Sequence, residues 1–203
     1  MTVTTEPKGG HRALRADARR NVQRVLAAAE QLFASEGLAV PIDVIAANAG
    51  VGVGTVYRHF PTKEALFKAV VVHHLETLVE RCKQLSACEA PCDAVFTFIA
   101  EVVEFATQKR DLTDELVQAG IDKEAVGSAV REELERAFDL MLRRAQAAGS
   151  IRPDVTAADV TALLMGTCMA AERRREGATA DRLVKVVCDG LRTGEPTGGP
   201  AEG

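Results

Sequence analysis

The sequence predicts an all-α protein, and three features of its pattern support that prediction. Apolar residues recur three and four positions apart, the spacing of a helix face, through most of the 203 residues. No segment alternates apolar and polar residues as a half-buried strand would. Glycine, proline and capping residues separate the periodic segments. We expect about nine helices, in an N-terminal three-helix domain and a larger C-terminal helical domain.

The N-terminal part contains a polar segment followed by a first long helix. Residues 1–15 are polar and basic, which predicts a disordered arm, either solvated or in contact with nucleic acid. The helix is expected from Asp17 to Glu36, with Gly37 as its stop. Its continuous apolar stripe consists of Val22, Val25, Leu26, Ala29, Leu32 and Phe33.

Residues 41–60 have the pattern of two short helices joined by a tight turn. The first helix has an apolar face made of Ile42, Ile45, Ala46 and Ala49. Gly50 can take the left-handed conformation that a sharp turn needs. The second helix is expected from about Val53 to Phe60, and its inner side to consist of Val53, Val56, Tyr57 and Phe60.

The outer face of this second helix is polar and basic. Thr55, Arg58 and His59 stand at i, i+3 and i+4 and would share that face. A short helix of this kind, set on a first helix by a glycine turn, is typical of a DNA-reading helix-turn-helix. Thr62 is then expected to cap a third helix, with Glu64 in its first turn.

The same stretch carries a family resemblance at many positions. The matching residues are Ile45-Ala46, Ala49-Gly50-Val51, Gly54-Thr55-Val56-Tyr57, His59-Phe60, Lys63-Glu64 and Leu66. This pattern resembles the DNA-binding domain of TetR-family transcriptional regulators. The sequence departs from it at Gly52, where the family often has a capping Ser, and at Val40-Pro41, where many members have Thr.

The second half of the chain reads as a further series of helices. A long helix from Thr62 to about Leu85 corresponds, by the resemblance, to the family's connecting helix. A new helix follows Pro91, and a short one is expected near Thr113–Gln118. A long helix is expected from Asp122 to Ala148, ending at Gly149. Two more are expected to be capped by Thr156, with Asp159 in a weak capping box, and by Thr179.

These elements define the expected domains. Residues 16–61 would form the helix-turn-helix domain, and residues 62–192 an effector-binding and dimerisation domain. Residues 193–203 would form a flexible tail.

Charge is distributed unevenly along the chain. Residues 1–70 hold nine Lys or Arg and six Asp or Glu, a net +3, whereas residues 71–203 carry a net −7. The basic part therefore coincides with the expected DNA reader. No apolar run has the length of a membrane span, and the N-terminus lacks the apolar core of a signal peptide, so we expect a cytoplasmic protein without a membrane partner.

Double-stranded DNA is thus the expected macromolecular partner. Thr55 and Arg58 can contact base edges or phosphates, whereas Tyr57 and His59 resemble the family's phosphate contacts. A lysine at a helix start is locally unfavourable, which makes sense for Lys63 if a phosphate approaches there. The candidate DNA-binding residues are Gly52, Thr55, Tyr57, Arg58, His59, Lys63, Arg19 and Arg20.

By the resemblance, the second domain would enclose a small-molecule effector and form a homodimer. Phe and Met side chains suit an apolar, adaptable cavity, although at helical spacing they also suit a core. The candidate pocket residues are His74, Phe98, Val102, Phe105, Phe138, Met141, Met165 and Met169. The candidate interface residues are Leu163, Gly166, Ala170, Leu183 and Val187.

Other functions have weaker support in the sequence. The glycine-rich run 50–55 has no preceding strand and no Gly-Lys-Thr/Ser ending, so it does not predict a nucleotide site, and no cofactor is expected. Cys82, Cys88 and Cys92, with His73 and His74 nearby, match no standard zinc spacing, but a thiol or metal sensor stays an alternative. The sequence contains no nucleophile–base pattern, so it does not predict an enzyme. The favoured hypothesis is a ligand-released, dimeric TetR-like repressor of a palindromic operator; an interaction module that has lost DNA binding is the other alternative.

Overall fold

The structure is a computed structural model that describes residues 10–87, 90–108, 126–173 and 177–193. Within these ranges the protein is all-helical, as predicted, with eight helices and no β-strand. The helices are α1 (Gly10–Glu36), α2 (Ile42–Ala49), α3 (Val53–His59), α4 (Lys63–Ser86), α5 (Pro91–Gln108), α6 (Ser128–Ala147), α7 (Ala157–Arg173) and α8 (Gly177–Leu191). The short helix expected near residues 113–118 lies outside the described residues.

The contacts divide the described residues into two compact units, which meet in the sequence between His73 and His74. The first unit contains α1, α2, α3 and the first part of α4. The second contains the rest of α4 and the helices that follow. The division thus falls inside α4, whereas the second domain was predicted to begin at residue 62. The predicted domain boundaries stay a prediction.

The first unit is built on the apolar stripe of α1. The predicted stripe residues Val25, Leu26, Ala29, Leu32 and Phe33 are buried, and Val22 is half-buried. The rings of Phe33 and Phe67 pack 5.7 Å apart at 50°. The predicted start of α1 was wrong: the helix begins at Gly10 rather than Asp17, because no glycine or proline interrupts residues 11–36.

The turn between α2 and α3 depends on Gly50, as predicted. Gly50 ends α2 in the left-handed conformation, with φ 63° and ψ 40°. Its carbonyl oxygen accepts a hydrogen bond from Nη2 of Arg24 in α1, at 3.1 Å. A Cβ at Gly50 would collide with that guanidinium. The position therefore favours glycine for its backbone conformation, and a side chain there would also displace the Arg24 guanidinium.

The predicted caps of α4 and α7 are present. The Thr62 hydroxyl accepts a hydrogen bond from the Ala65 N–H at 3.0 Å. At α7, the Thr156 and Asp159 side chains each accept a hydrogen bond from the other residue's N–H, at 3.2 and 2.9 Å, which completes the capping box.

The second unit has its own core, in which α5 packs against α6, α7 and α8. The rings of Phe98 and Phe138 lie 5.6 Å apart. The largest fully buried side chains of this core are Ile99, Met141, Leu142, Ile151 and Leu191.

Two predicted helix starts in this unit were wrong. The helix expected from Asp122 begins at Ser128, because Gly127 before it has φ 74° and interrupts the helical backbone. Residues 122–125 lie outside the described residues. The last helix begins at Gly177, so Thr179 lies inside the helix and is not its cap.

The chain after α8 is held against the α6–α7 connector. Ile151 and Arg192 form an antiparallel bridge, and the Thr193 hydroxyl donates a hydrogen bond to the Gly149 carbonyl at 2.7 Å. The Arg192 guanidinium lies 4.5 Å above the Phe96 ring. Thr193, predicted as the first residue of a flexible tail, is therefore anchored; residues 194–203 lie outside the described residues.

Replacing Gly50 with Ala should lower the free energy of unfolding by about 1–2 kcal/mol, because an L side chain is strained in the left-handed region and its methyl group meets Arg24. Urea unfolding followed by circular dichroism measures this. Gly54→Ala is the matched control, because Gly54 lies inside α3 with open space around it. That variant should be neutral or more stable by about 0.5–1 kcal/mol. Equal effects of both substitutions would contradict the account of the turn.

Candidate nucleic-acid interface and ligand cavity

Helix α3 is attached to the first unit by one narrow stripe. Val56 and Phe60 are buried, and α3 contacts both α1 and α2. The Gly52 carbonyl accepts hydrogen bonds from the N–H groups of Thr55 and Val56, which closes the first turn of the helix. The remaining sides of α3 point away from the core.

The prediction that Val53 and Tyr57 belong to the inner side was wrong. Their exposed fractions are 38% and 49%. A helix advances about 100° per residue, so the pair Val56 and Phe60 already fills the narrow inner stripe. The two other apolar residues lie on the flank of that stripe.

The predicted DNA-binding residues of α3 and its ends reach solvent to different extents. Tyr57, Arg58 and His59 are exposed, whereas Thr55 is half-buried. Lys63, the first residue of α4, is also half-buried. Gly52 is exposed, and a Cβ there would have only the Thr55 hydroxyl within 4 Å, at 3.9 Å.

The basic residues of α1 have two different arrangements. Arg19 and Arg20 are exposed, and Arg20 forms an ion pair with Asp17 one turn earlier. Arg24 instead donates to the Gly50 carbonyl in the turn of the helix-turn-helix. Sequence reasoning missed this role, because the two residues are 26 positions apart and no local pattern connects them.

The second unit contains a cavity of about 180 Å³ between α4, α5, α6 and α7. Its polar or charged wall residues are Arg131, Glu135 and Thr161. The apolar wall residues are Leu75, Leu78, Phe98, Val102, Leu134, Phe138, Leu164 and Met165. A partly open, mainly apolar space with a few polar groups in its wall is the usual form of a small-molecule site.

The predicted pocket residues fall into distinct groups. Phe98, Val102, Phe138 and Met165 lie on the cavity wall. Met141 is buried in the core, and Met169 is exposed. His74 is half-buried and does not line the cavity, and the Phe105 side chain lies outside the described part.

The predicted interface residues lie mostly along an open groove beside α7 and α8. Leu163, Gly166, Ala170 and Leu183 line this groove. The fifth, Val187, is half-buried and packs against the core of the second unit. Leu163 is 49% exposed, and Met169 and Val186 add further exposed apolar surface to these two helices.

Two of the three cysteines whose side chains the structure describes, Cys82 and Cys188, are poorly suited to thiol chemistry, whereas Cys168 is half-buried. Burial raises the pKa of the Cys82 thiol to about 11, although a hydrogen bond with Ser86 acts in the opposite direction. Cys188 is buried as well. A neutral thiol is a weak nucleophile and a weak metal ligand. Cys88 and the side chain of Cys92 lie outside the part of the chain that the structure describes.

The described residues contain neither a metal-binding cluster nor a membrane-spanning helix. No group of three or more His, Cys, Asp or Glu side chains among them could hold a metal ion. None of the described helices has both the length and the apolarity needed to cross a membrane.

Comparisons with known proteins match both halves of the chain. Residues 25–70 match the family described as bacterial regulatory proteins, tetR family. Residues 90–193 match the C-terminal domain of SbtR-like transcriptional regulators. The HTH-type transcriptional regulator UidR of Escherichia coli is 25% identical over 146 residues, which cover 70% of this chain and 74% of UidR.

Solved structures agree with these matches. A TetR transcription regulatory protein from Mycobacterium vanbaalenii is 42% identical, with a TM-score of 0.76 over 89% of this chain and 99% of its own. The TetR transcriptional regulator SCO0520 from Streptomyces coelicolor is 34% identical, with a TM-score of 0.72 over 84% and 98%. Family members are transcriptional regulators rather than enzymes, and their N-terminal helix-turn-helix binds DNA. With both of its halves matched and its α2–α3 pair built as such a motif, the chain belongs to the TetR family of bacterial transcriptional regulators.

Proposed function

We propose that the protein is a repressor that binds a palindromic operator as a homodimer and is released by a small, largely apolar effector. The observation that supports the DNA-binding part best is the geometry of α3. Val56 and Phe60 are buried, while Tyr57, Arg58 and His59 are exposed. A helix so placed can enter the major groove of DNA.

The side chains of α3 and its ends have complementary roles in this proposal. The Arg58 guanidinium can pair with guanine O6 and N7 or hold a phosphate. Tyr57 and His59 hold backbone phosphates, and Lys63 adds a positive charge where α4 begins. Arg19 and Arg20 of α1 add positive charge that attracts the same backbone phosphates. Gly52, which has no side chain, lets the backbone approach the DNA closely.

The dimer is proposed to form through α7 and α8. Exposed apolar surface on paired helices marks an interaction site in a soluble protein. Gly166 and Ala170 are small, so a second copy of the same helix could approach closely along the groove that contains Leu163. A two-fold dimer would present its two α3 helices to successive major-groove turns, about 34 Å apart.

The effector is proposed to occupy the cavity of the second unit. The cavity, at about 180 Å³, is smaller than a drug-sized pocket, so it fits only a small effector, and its wall is mainly apolar. Leu75 and Leu78 of α4 belong to that wall, and the same helix begins at Lys63, directly after the helix-turn-helix. An effector that fills the cavity would therefore act on α4. It releases DNA if it binds the DNA-free state better by a few kcal/mol.

Arg58→Ala and Tyr57→Ala should each weaken operator binding by about tenfold to a hundredfold, because each removes a contact of the reading helix. The measurement is fluorescence anisotropy on the duplex that the wild-type protein enriches from a random pool, at several salt concentrations. If Arg58 holds a phosphate, its loss lowers the salt slope by about 1, whereas loss of the neutral Tyr57 leaves the slope unchanged. Arg143→Ala is the control, because Arg143 is also an exposed arginine but belongs to the second unit. Unchanged affinity in both test variants would refute the assignment.

Leu163→Asp should convert the dimer into a monomer, because it places a charge in an apolar interface. Light scattering coupled to gel filtration would then give 21.7 kDa instead of twice that mass. Leu140→Asp is the matched control, since Leu140 of α6 is 59% exposed and lies outside the α7–α8 groove. A dimer that persists in the Leu163 variant, with unchanged helicity, would contradict this interface.

Leu164→Trp should fill the cavity and abolish the response to an effector without abolishing operator binding. Small apolar compounds that raise the melting temperature of the wild type would first be collected by thermal shift. The variant should lose that shift, and the same compounds should displace the wild type from its operator. Leu140→Trp, outside the cavity, should respond like the wild type. A full shift in the Leu164 variant would place the effector elsewhere.

A further inference from the structure

The exposure of Val53 is not explained by the core of the first unit. Val53 is 38% exposed at the first position of α3, whereas Val56, one turn later, is fully buried. Tyr57, exposed on the same flank, has a hydroxyl group that can hold a phosphate. The Val53 side chain has no polar atom, so that side chain can make neither a hydrogen bond nor an ion pair with DNA.

Val53 is the one residue of the segment 52–54 that has a side chain. Its two chain neighbours, Gly52 and Gly54, have no side chains. A Cβ at Gly54 would have no atom within 4 Å, and one at Gly52 would have only the Thr55 hydroxyl, at 3.9 Å. Within residues 52–54, the Val53 isopropyl group is therefore the side chain that an approaching surface can contact.

The chemistry of the major groove limits what can pack against that group. The base edges there present hydrogen-bond donors and acceptors, and thymine alone adds an apolar group, its C5-methyl. A valine against the polar edge of guanine, adenine or cytosine would remove water from groups that it cannot satisfy. Against a thymine methyl, the same contact buries apolar surface on both sides.

We propose that Val53 reads the methyl group of one thymine in each operator half-site, so that an apolar contact sets the preferred base at that position. The inference rests on the proposed function, since it requires α3 to lie in the major groove. It adds a specificity residue that the sequence analysis had assigned to the protein interior. Burying one methyl group corresponds to a three- to fivefold change in affinity per half-site.

The experiment uses the full chain and the duplex that it enriches from a random pool. Each thymine of that duplex is replaced in turn by deoxyuridine, which removes only the methyl group. The wild type should lose three- to fivefold at one thymine per half-site. Val53→Ala should be insensitive to the replacement at that position and unchanged elsewhere. Val44→Ala is the matched control, because Val44 is 41% exposed on the neighbouring helix α2, and it should behave like the wild type.

A second substitution in the DNA tests the methyl group itself. At the identified position, 5-methylcytosine should bind the wild type more tightly than cytosine by the same three- to fivefold factor, and Val53→Ala should not distinguish them. The proposal is overturned if Val53→Ala retains the wild-type penalty at every thymine, or if the wild type shows none. If the wild type enriches no sequence at all, the proposed function fails and this inference fails with it. An enriched operator without a Val53-dependent methyl effect overturns this inference alone.

Discussion

Burial of Val56 and Phe60 is the constraint on which the DNA-reading surface depends. A helix of seven residues is too short to be stable alone, since nucleation is costly and few hydrogen bonds repay it. Helix α3 therefore exists because α1 and α2 provide an apolar surface for these two side chains. The α1 stripe, with Phe33 packed on Phe67, is in turn what makes that surface stable.

The turn before α3 completes this arrangement. Gly50 reverses the chain direction at a positive φ, and Arg24 donates a hydrogen bond to its carbonyl. The interaction is exposed, so its own contribution to stability is small, on the order of 1 kcal/mol or less. Its consequence is geometric, because it links the middle of α1 to the turn that sets the direction of α3. Arg24, a residue type that often contacts phosphate, thus holds the turn of the helix-turn-helix instead.

In the second unit, ion pairs connect α4 to two of the other helices that form the cavity wall. Arg81 of α4 makes a two-pronged contact with Glu101 of α5, with its shortest distance 2.6 Å, and Lys83 contacts Glu133 of α6 at 2.7 Å. The hydrogen bonds from Arg81 hold the pKa of the Glu101 carboxyl below its usual value. The pair therefore stabilises the fold at pH values above the usual pKa of a glutamate, and this stabilisation is lost as the carboxyl is protonated in acid. Each pair is partly exposed and modest in energy. Together they join the end of α4 to two walls of the cavity, which supports the proposed action of an effector on that helix.

The all-helical class, the family and the local signals at helix ends could all be predicted from the amino-acid sequence. Gly50, Thr62 and the Thr156–Asp159 pair could be predicted because caps and turns depend on a few neighbouring residues. The exposure of Val53 and Tyr57 depends on tertiary packing, because four apolar positions on and directly after so short a helix do not indicate which two will meet α1 and α2. Tertiary packing also decides the partner of Arg24 and the composition of the cavity wall. Those features join residues that are far apart in the chain, and periodicity along one helix contains no information about the surface that packs against it.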